Sequence, residues 1–107
     1  MKSDPFRFDT LAIHAAHEPD ERTGAVMTPI VLSSTFAHAS LGQPRAFEYS
    51  RTNNPTRETL ERCLAALEGG AHGLAFASGC AAMARVFQTL RPGDHVVASV
   101  DVYGGTF

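Results

Sequence analysis

The sequence has 107 residues, 44% hydrophobic and 19% charged, with a net charge of -2, which is the composition of a soluble globular chain of at most one domain. Nine basic residues against eleven acidic ones leave no electrostatic footprint for nucleic acid or an anionic membrane. No apolar run approaches the roughly 20 residues that span a bilayer, and the N-terminus does not lead into a signal-peptide core, so a cytoplasmic address is expected.

Residues 1–54 read as an arm. Pro5, Pro19, Gly24, Pro29, Gly42 and Pro44 interrupt every apolar run before it reaches helix length. Within the arm, residues 6–14 suit a short helix opened by Asp9 as cap, and residues 29–32 suit a short strand. So long an irregular segment fits a chain that packs on a partner subunit. From residue 55 the pattern changes. Asn54 is a good N-cap, Pro55 suits the first helical position, and Leu60, Cys63, Leu64 and Leu67 recur at helical spacing before Glu68-Gly69-Gly70 ends the run.

Residues 73–77 form a continuous apolar run of strand length, followed by Ser78 as cap and Gly79 as the first residue of a second helix. Met83, Val86, Phe87 and Leu90 mark that helix's expected buried face. Residues 91–94 turn the chain, and residues 95–100 read as a second buried strand. The unit is a right-handed βαβ. Two parallel strands do not make a stable sheet, because such sheets are built from several strands covered on both faces. The chain is therefore expected to stop inside a domain, as a fragment would.

Three places are candidates for chemistry. The turn Ser78-Gly79-Cys80 puts backbone N–H groups and the positive end of a helix at a sheet edge, where a phosphate is held; the same ingredients also make a plain capped helix. In an extended segment Tyr49 and Arg51 point the same way, a phenol beside a guanidinium suited to a phosphate; a solvated loop with Arg51 paired to an acid is the alternative. Tyr103, followed by Gly104 and Gly105, is placed either to cover a flat ligand or to pack at the sheet edge. His14 and His17 have helical spacing but no third ligand nearby, so no metal is expected. Cys63 and Cys80 are too few for a disulfide scaffold, and Cys80 at a helix start has no evident base. Lys2 is the only lysine, so any chemistry needing an internal lysine is not supplied by these residues.

The set Asp9-Thr10, Glu18-Pro19-Asp20, Thr28-Pro29-Ile30, Ser34-Thr35-Phe36, Tyr49-Ser50-Arg51-Thr52, Asn54-Pro55-Thr56-Arg57, Ser78-Gly79 and Asp101-Val102-Tyr103, in this order and spacing, resembles the Cys/Met metabolism family of pyridoxal phosphate (PLP) enzymes. The resemblance implies an α/β architecture, the type I PLP-dependent aminotransferase-like fold. Residues 1–54 would be the inter-subunit arm, and residues 55–107 the incomplete beginning of the PLP-binding large domain. It implies that Tyr49 and Arg51 bind the phosphate of the neighbouring subunit's PLP. Ser78, Gly79 and Cys80 would hold the phosphate within the same subunit, with Tyr103 stacking on the pyridine ring and assisting proton transfer or leaving-group departure. Cys80 stands where the family commonly has Met, Leu or Gln and is expected to be tolerated because the contact is through the backbone, while little is read into Ala16, which stands where many relatives have glycine.

The implied reaction is β/γ-elimination or γ-replacement on sulfur amino acids, in a homotetramer built as a dimer of dimers. The family's Schiff-base lysine has no match here, so the 107 residues alone are expected to be inactive. Two other readings stand beside this one: a truncated interaction fragment retaining the oligomerisation arm, and a self-contained phosphate-binding α/β module.

Overall fold

The computed structural model describes residues 6–107. The chain divides into two units, the first ending at Leu74 and the second running Ala75–Phe107. Each is held together mainly by helix caps and turns rather than by a large core: among the described residues only Ala65 is buried.

In the first unit α1 spans Phe8–His14. Asp9 is not its cap. Arg7 occupies that position, its carbonyl accepting the N–H groups of Thr10 and Leu11 at 2.9 and 3.0 Å, and Asp9 lies in the first turn, where its charge favours the positive end of the helix. The helix ends at Ala15, and Ala16 follows with φ +62. A left-handed conformation is costly for any residue with a Cβ, so the alanine into which the sequence alone allows little to be read carries strain. Ala16→Gly is expected to raise stability by about 0.5–1 kcal/mol, the relief of that strain less the entropy glycine loses on folding, read as a higher thermal midpoint. Because α1 ends before this turn, His14 and His17 do not share a helical face; the His17 ring Nδ1 lies 3.2 Å from Thr28 Oγ1 instead.

Residues 20–25 fold around Asp20, whose Oδ1 accepts both the Thr23 N–H at 2.8 Å and the Thr23 hydroxyl at 2.7 Å. These bonds, the hydroxyl's foremost, hold the Asp20 carboxyl below its ordinary value of 3.8. The turn's stabilisation is therefore fully present above pH 3.8 and lost as pH falls through the lowered value. The Thr23 amide resonance is expected to titrate with a midpoint below 3.8; a midpoint at or above it would refute the bonding described.

Residues 29–32 do not form a strand. Their backbone is satisfied by side chains: Val31 N–H donates to Thr56 Oγ1 at 2.9 Å, and Val31 O accepts from Asn54 Nδ2 at 3.2 Å. Once single residues of this segment are met by the start of the next helix, a strand ladder gains it nothing.

That helix, α2, spans Pro55–Leu67 and begins as the sequence indicates, with Asn54 Oδ1 accepting from Thr56 N–H at 2.9 Å and Pro55 at the first position. Its end is fixed by two bonds, Gly70 N–H to Ala65 O at 2.8 Å and Gly69 N–H to Ala66 O at 3.3 Å, with Gly69 at φ +63. This 6→1 and 5→2 pattern needs a residue free to adopt the left-handed region. The expected inner face is only partly realised: Leu60 and Leu64 are exposed, and Ala65 is the buried residue. Ala65 is small enough for the chain at Gly73 to cross the helix directly over it; α1 packs on the same helix.

In the second unit α3 spans Gly79–Phe87, capped by Ser78, whose Oγ accepts from Ala81 N–H at 3.2 Å. Residues 91–94 turn as expected, Asp94 N–H donating to Arg91 O at 3.0 Å and Arg91 N–H to Asp94 Oδ2 at 2.7 Å. Residues 73–77 and 95–100 are not in paired strands, and the pairing among the described residues consists of single bridges, Thr35 to Tyr49 and Ser40 to Gln43. A parallel strand is stable only within a sheet of several strands covered on both faces. Val97 and Val100 are 89% and 99% exposed, so nothing among the described residues supplies that cover. The expected buried face of α3 is open for the same reason, with Val86, Phe87 and Leu90 exposed. No helix among the described residues is long and apolar enough to cross a membrane.

Candidate functional site

The first unit presents Tyr49 and Arg51 together. Arg51 Nη2 donates to the Tyr49 hydroxyl at 2.8 Å, and the guanidinium carbon stands 5.3 Å from the ring centroid. The pairing expected of an extended segment is thus present, but the backbone reason differs. Residues 50–52 form a turn, in which the N–H groups of Thr52 and Asn53 both donate to Tyr49 O at 2.9 and 3.0 Å. Arg51 makes no ion pair with an acid among the described residues. Because the phenol oxygen only accepts from Arg51, its own proton remains available, so both side chains offer donors at one exposed point.

Ser50, between them, is tied down at every polar atom. Its N–H donates to Ser34 O at 2.9 Å and its hydroxyl to Ser33 O at 2.5 Å; its hydroxyl oxygen accepts from Asn54 Nδ2 at 2.8 Å and its carbonyl from Arg57 Nη1 at 3.1 Å. Behind this knot Phe36 N–H donates to Glu48 O at 3.0 Å, and the rings of Phe36 and Phe47 lie 5.7 Å apart. The roles of Ser50 and Arg57 escape a reading by residue type, since a serine and an arginine in a polar run look like solvated loop. The signal for Arg57 is its position: a cation in the first turn of a helix opposes the dipole, so it needs compensating partners.

The second unit presents the start of α3. Ala81 N–H is taken by Ser78 Oγ and Ala82 N–H by Ser78 O at 3.1 Å. The N–H groups of Gly79 and Cys80 precede the helical ladder and have no acceptor among the described residues, as the first donors of a helix do not. A Cβ added at Gly79 would meet nothing within 4 Å, so the space beside this residue is open. Ser78 performs the capping role, and its hydroxyl proton is left free to donate outward.

Tyr103 is brought to the same place. Thr106 N–H donates to Tyr103 O at 2.7 Å, closing a turn, and the Thr106 hydroxyl lies 3.5 Å from Met83 Sδ on α3. A Cβ at Gly105 would stand 2.8 Å from Tyr103 Cε1 and 3.3 Å from Cys80 Sγ, so the ring and the thiol both lie close against this turn, where a larger residue would push the ring aside. The Tyr103 ring is 74% exposed beside the α3 start. It is not packed away at an edge.

Both donor sets suit a dianion: a charged fork with a phenol in one unit, two backbone N–H groups with a hydroxyl in the other. The exposed ring beside the second set suits a flat group attached to that anion. The residues present therefore fit a phosphorylated aromatic cofactor such as pyridoxal phosphate.

Comparison with known proteins agrees. The solved structure of metB from Corynebacterium glutamicum superposes with a TM-score of 0.89 at 45% identity, covering 99% of this chain and 28% of that one. The fold is that of the N-terminal portion of a large PLP-dependent enzyme. The pattern of the Cys/Met metabolism PLP-dependent enzyme family matches residues 9–107, and the chain belongs to that family. It is 58% identical over 99 residues to cystathionine beta-lyase of Coxiella burnetii, covering 92% of this chain and 26% of that protein. It is 57% identical over 100 residues to cystathionine gamma-synthase of Mycobacterium tuberculosis, again covering 92% and 26%. The chain thus spans about a quarter of the length of these curated relatives.

Proposed function

We propose that these residues form the cofactor-binding front of a cytoplasmic, PLP-dependent carbon–sulfur lyase or synthase. Its substrates are sulfur amino acids of the cystathionine type, on which it performs β/γ-elimination or γ-replacement. The observation that carries this reading is the family match over residues 9–107, to which the two phosphate-type donor sets add a physical reason. The similarity is shared between a beta-lyase and a gamma-synthase, so the reading covers both reactions.

On this reading Gly79 and Cys80 donate their N–H groups, and Ser78 its hydroxyl proton, to the cofactor phosphate of their own subunit. Tyr49 and Arg51 donate to the phosphate of a neighbouring subunit's cofactor. The arm of residues 1–54 reaches across the interface of a homo-oligomer, a dimer of dimers, and residues 55–107 begin the large domain. Tyr103 covers the ring and moves a proton through its hydroxyl to the departing sulfur. What the cofactor supplies when bound is an electron sink for the substrate carbon being cleaved. The lysine that the family attaches to it comes from outside these residues, as Lys2 is the only one they contain, and the 107 residues alone do not turn over substrate.

The test is an absorbance spectrum of the protein expressed from its native coding sequence. A visible band that borohydride bleaches, with thiol or cystathionine release from a panel of sulfur amino acids, is the expected result. A folded product with no such band and no turnover would overturn the enzyme reading and leave an interaction fragment.

A further inference from the structure

We infer that Arg57 is a positioning residue for Arg51, acting through the backbone on either side of it. The inference rests on the reading in which Tyr49 and Arg51 hold a phosphate. Arg57 Nη1 donates to Ser50 O at 3.1 Å and Arg57 Nη2 to Thr52 O at 2.5 Å. These are the carbonyls of the two residues flanking Arg51: Ser50 O lies in the peptide plane directly before the Arg51 Cα and Thr52 O in the plane one residue beyond it, so one guanidinium bridges the turn that carries Arg51. Its third edge is held from behind, Nε lying 3.5 Å from Glu61 Oε1 one turn along α2, with the two side chains 32% and 21% exposed. The pair is sheltered enough to keep its geometry, unlike an open surface ion pair.

The placement is otherwise unfavourable. Arg57 is the third residue of α2, where the helix dipole disfavours a cation. Two carbonyls and a carboxylate offset that cost, and what they gain is a fixed turn under Arg51. A lysine in this place would keep the charge but not the fork, since an ammonium is a single point of contact and cannot reproduce two coplanar bonds. Arg57→Lys therefore separates geometry from charge.

The experiment is a double-mutant cycle on the whole enzyme. Apo protein of the wild type, Arg51→Ala, Arg57→Lys and the double variant is titrated with pyridoxal phosphate, followed by absorbance, with apo thermal midpoints read alongside. Arg57→Lys is expected to weaken cofactor affinity about tenfold in the wild-type background, a charge-assisted contact's worth. In the Arg51→Ala background it is expected to weaken it not at all, because there is no longer a guanidinium to aim. No weakening in the wild type, or equal weakening in both backgrounds, would show Arg57 to be merely structural and overturn the inference. Arg51→Ala leaving affinity unchanged would refute the phosphate-clamp reading itself, a distinct failure that takes this inference with it. Should Arg57→Lys fail to fold, Glu61→Gln keeps Arg57 and removes its anchor, and the same background dependence is expected of it.

Discussion

Gly73→Ala is expected to destabilise the protein by about 2 kcal/mol or more, the upper part of the range for overpacking, because nothing soft can give way. The chain at residue 73 crosses α2 so closely that a Cβ there would overlap the Glu61 carbonyl oxygen, with Glu61 C at 3.1 Å and Ala65 N at 3.3 Å. All three are backbone atoms inside a regular helix. A clash with the tip of a flexible side chain is relieved by a rotamer change, whereas this one requires the helix or the crossing strand of chain to move. The crossing also covers Ala65, the one buried residue described. Gly79→Ala is the fitting contrast, since its Cβ would meet nothing within 4 Å. Thermal or denaturant unfolding of the two variants is expected to show a clear loss for Gly73→Ala and little change for Gly79→Ala; equal effects would contradict the close approach.

What the sequence discloses here divides along a physical line. Features set by a few adjacent residues are legible in it: the caps at Asn54 and Ser78, Pro55 at a first helical position, the stop at Gly69, the turn at residues 91–94. Each depends on local hydrogen bonds that the residue types nearly dictate. Features set by distant partners are not. Residues 95–100 have a strand's composition, yet Val97 and Val100 stand in solvent because pairing needs neighbours that the described residues do not provide. The site shows the same division. Residue chemistry singles out Tyr49, Arg51, Ser78, Gly79 and Tyr103, but the groups that aim them, Ser50, Arg57 and Thr106, act through backbone carbonyls and a thioether. Nothing in a side chain's type announces such a role. Ala16 is a further lesson, since only the backbone angle reveals that an apparently neutral alanine occupies a left-handed position.

Tyr103→Phe is expected to lower kcat of the whole enzyme by about a hundredfold, the low end of what a positioned proton donor contributes, while leaving affinity for pyridoxal phosphate unchanged. The geometry gives the ring and the hydroxyl separate tasks. The ring is held against the α3 start by the turn that Thr106 closes, and by the room that Gly105 leaves beside Cys80. Phenylalanine keeps all of this. The hydroxyl has no hydrogen-bond partner among the described residues, so its removal does not disturb the fold and its loss is felt only where a proton moves. Tyr103→Ala removes both, and is expected to weaken cofactor binding as well by about 0.5–1.5 kcal/mol, a stacking contact's worth, or roughly two- to tenfold. Single-turnover rates with a sulfur amino acid, set beside cofactor titrations of both variants, separate the two tasks. If Tyr103→Phe reacts at the wild-type rate while Tyr103→Ala loses cofactor, the ring alone matters and the proton must come from another group. If Tyr103→Phe loses both rate and cofactor, the hydroxyl touches the cofactor rather than the departing sulfur, and the assignment of the proton to Tyr103 fails.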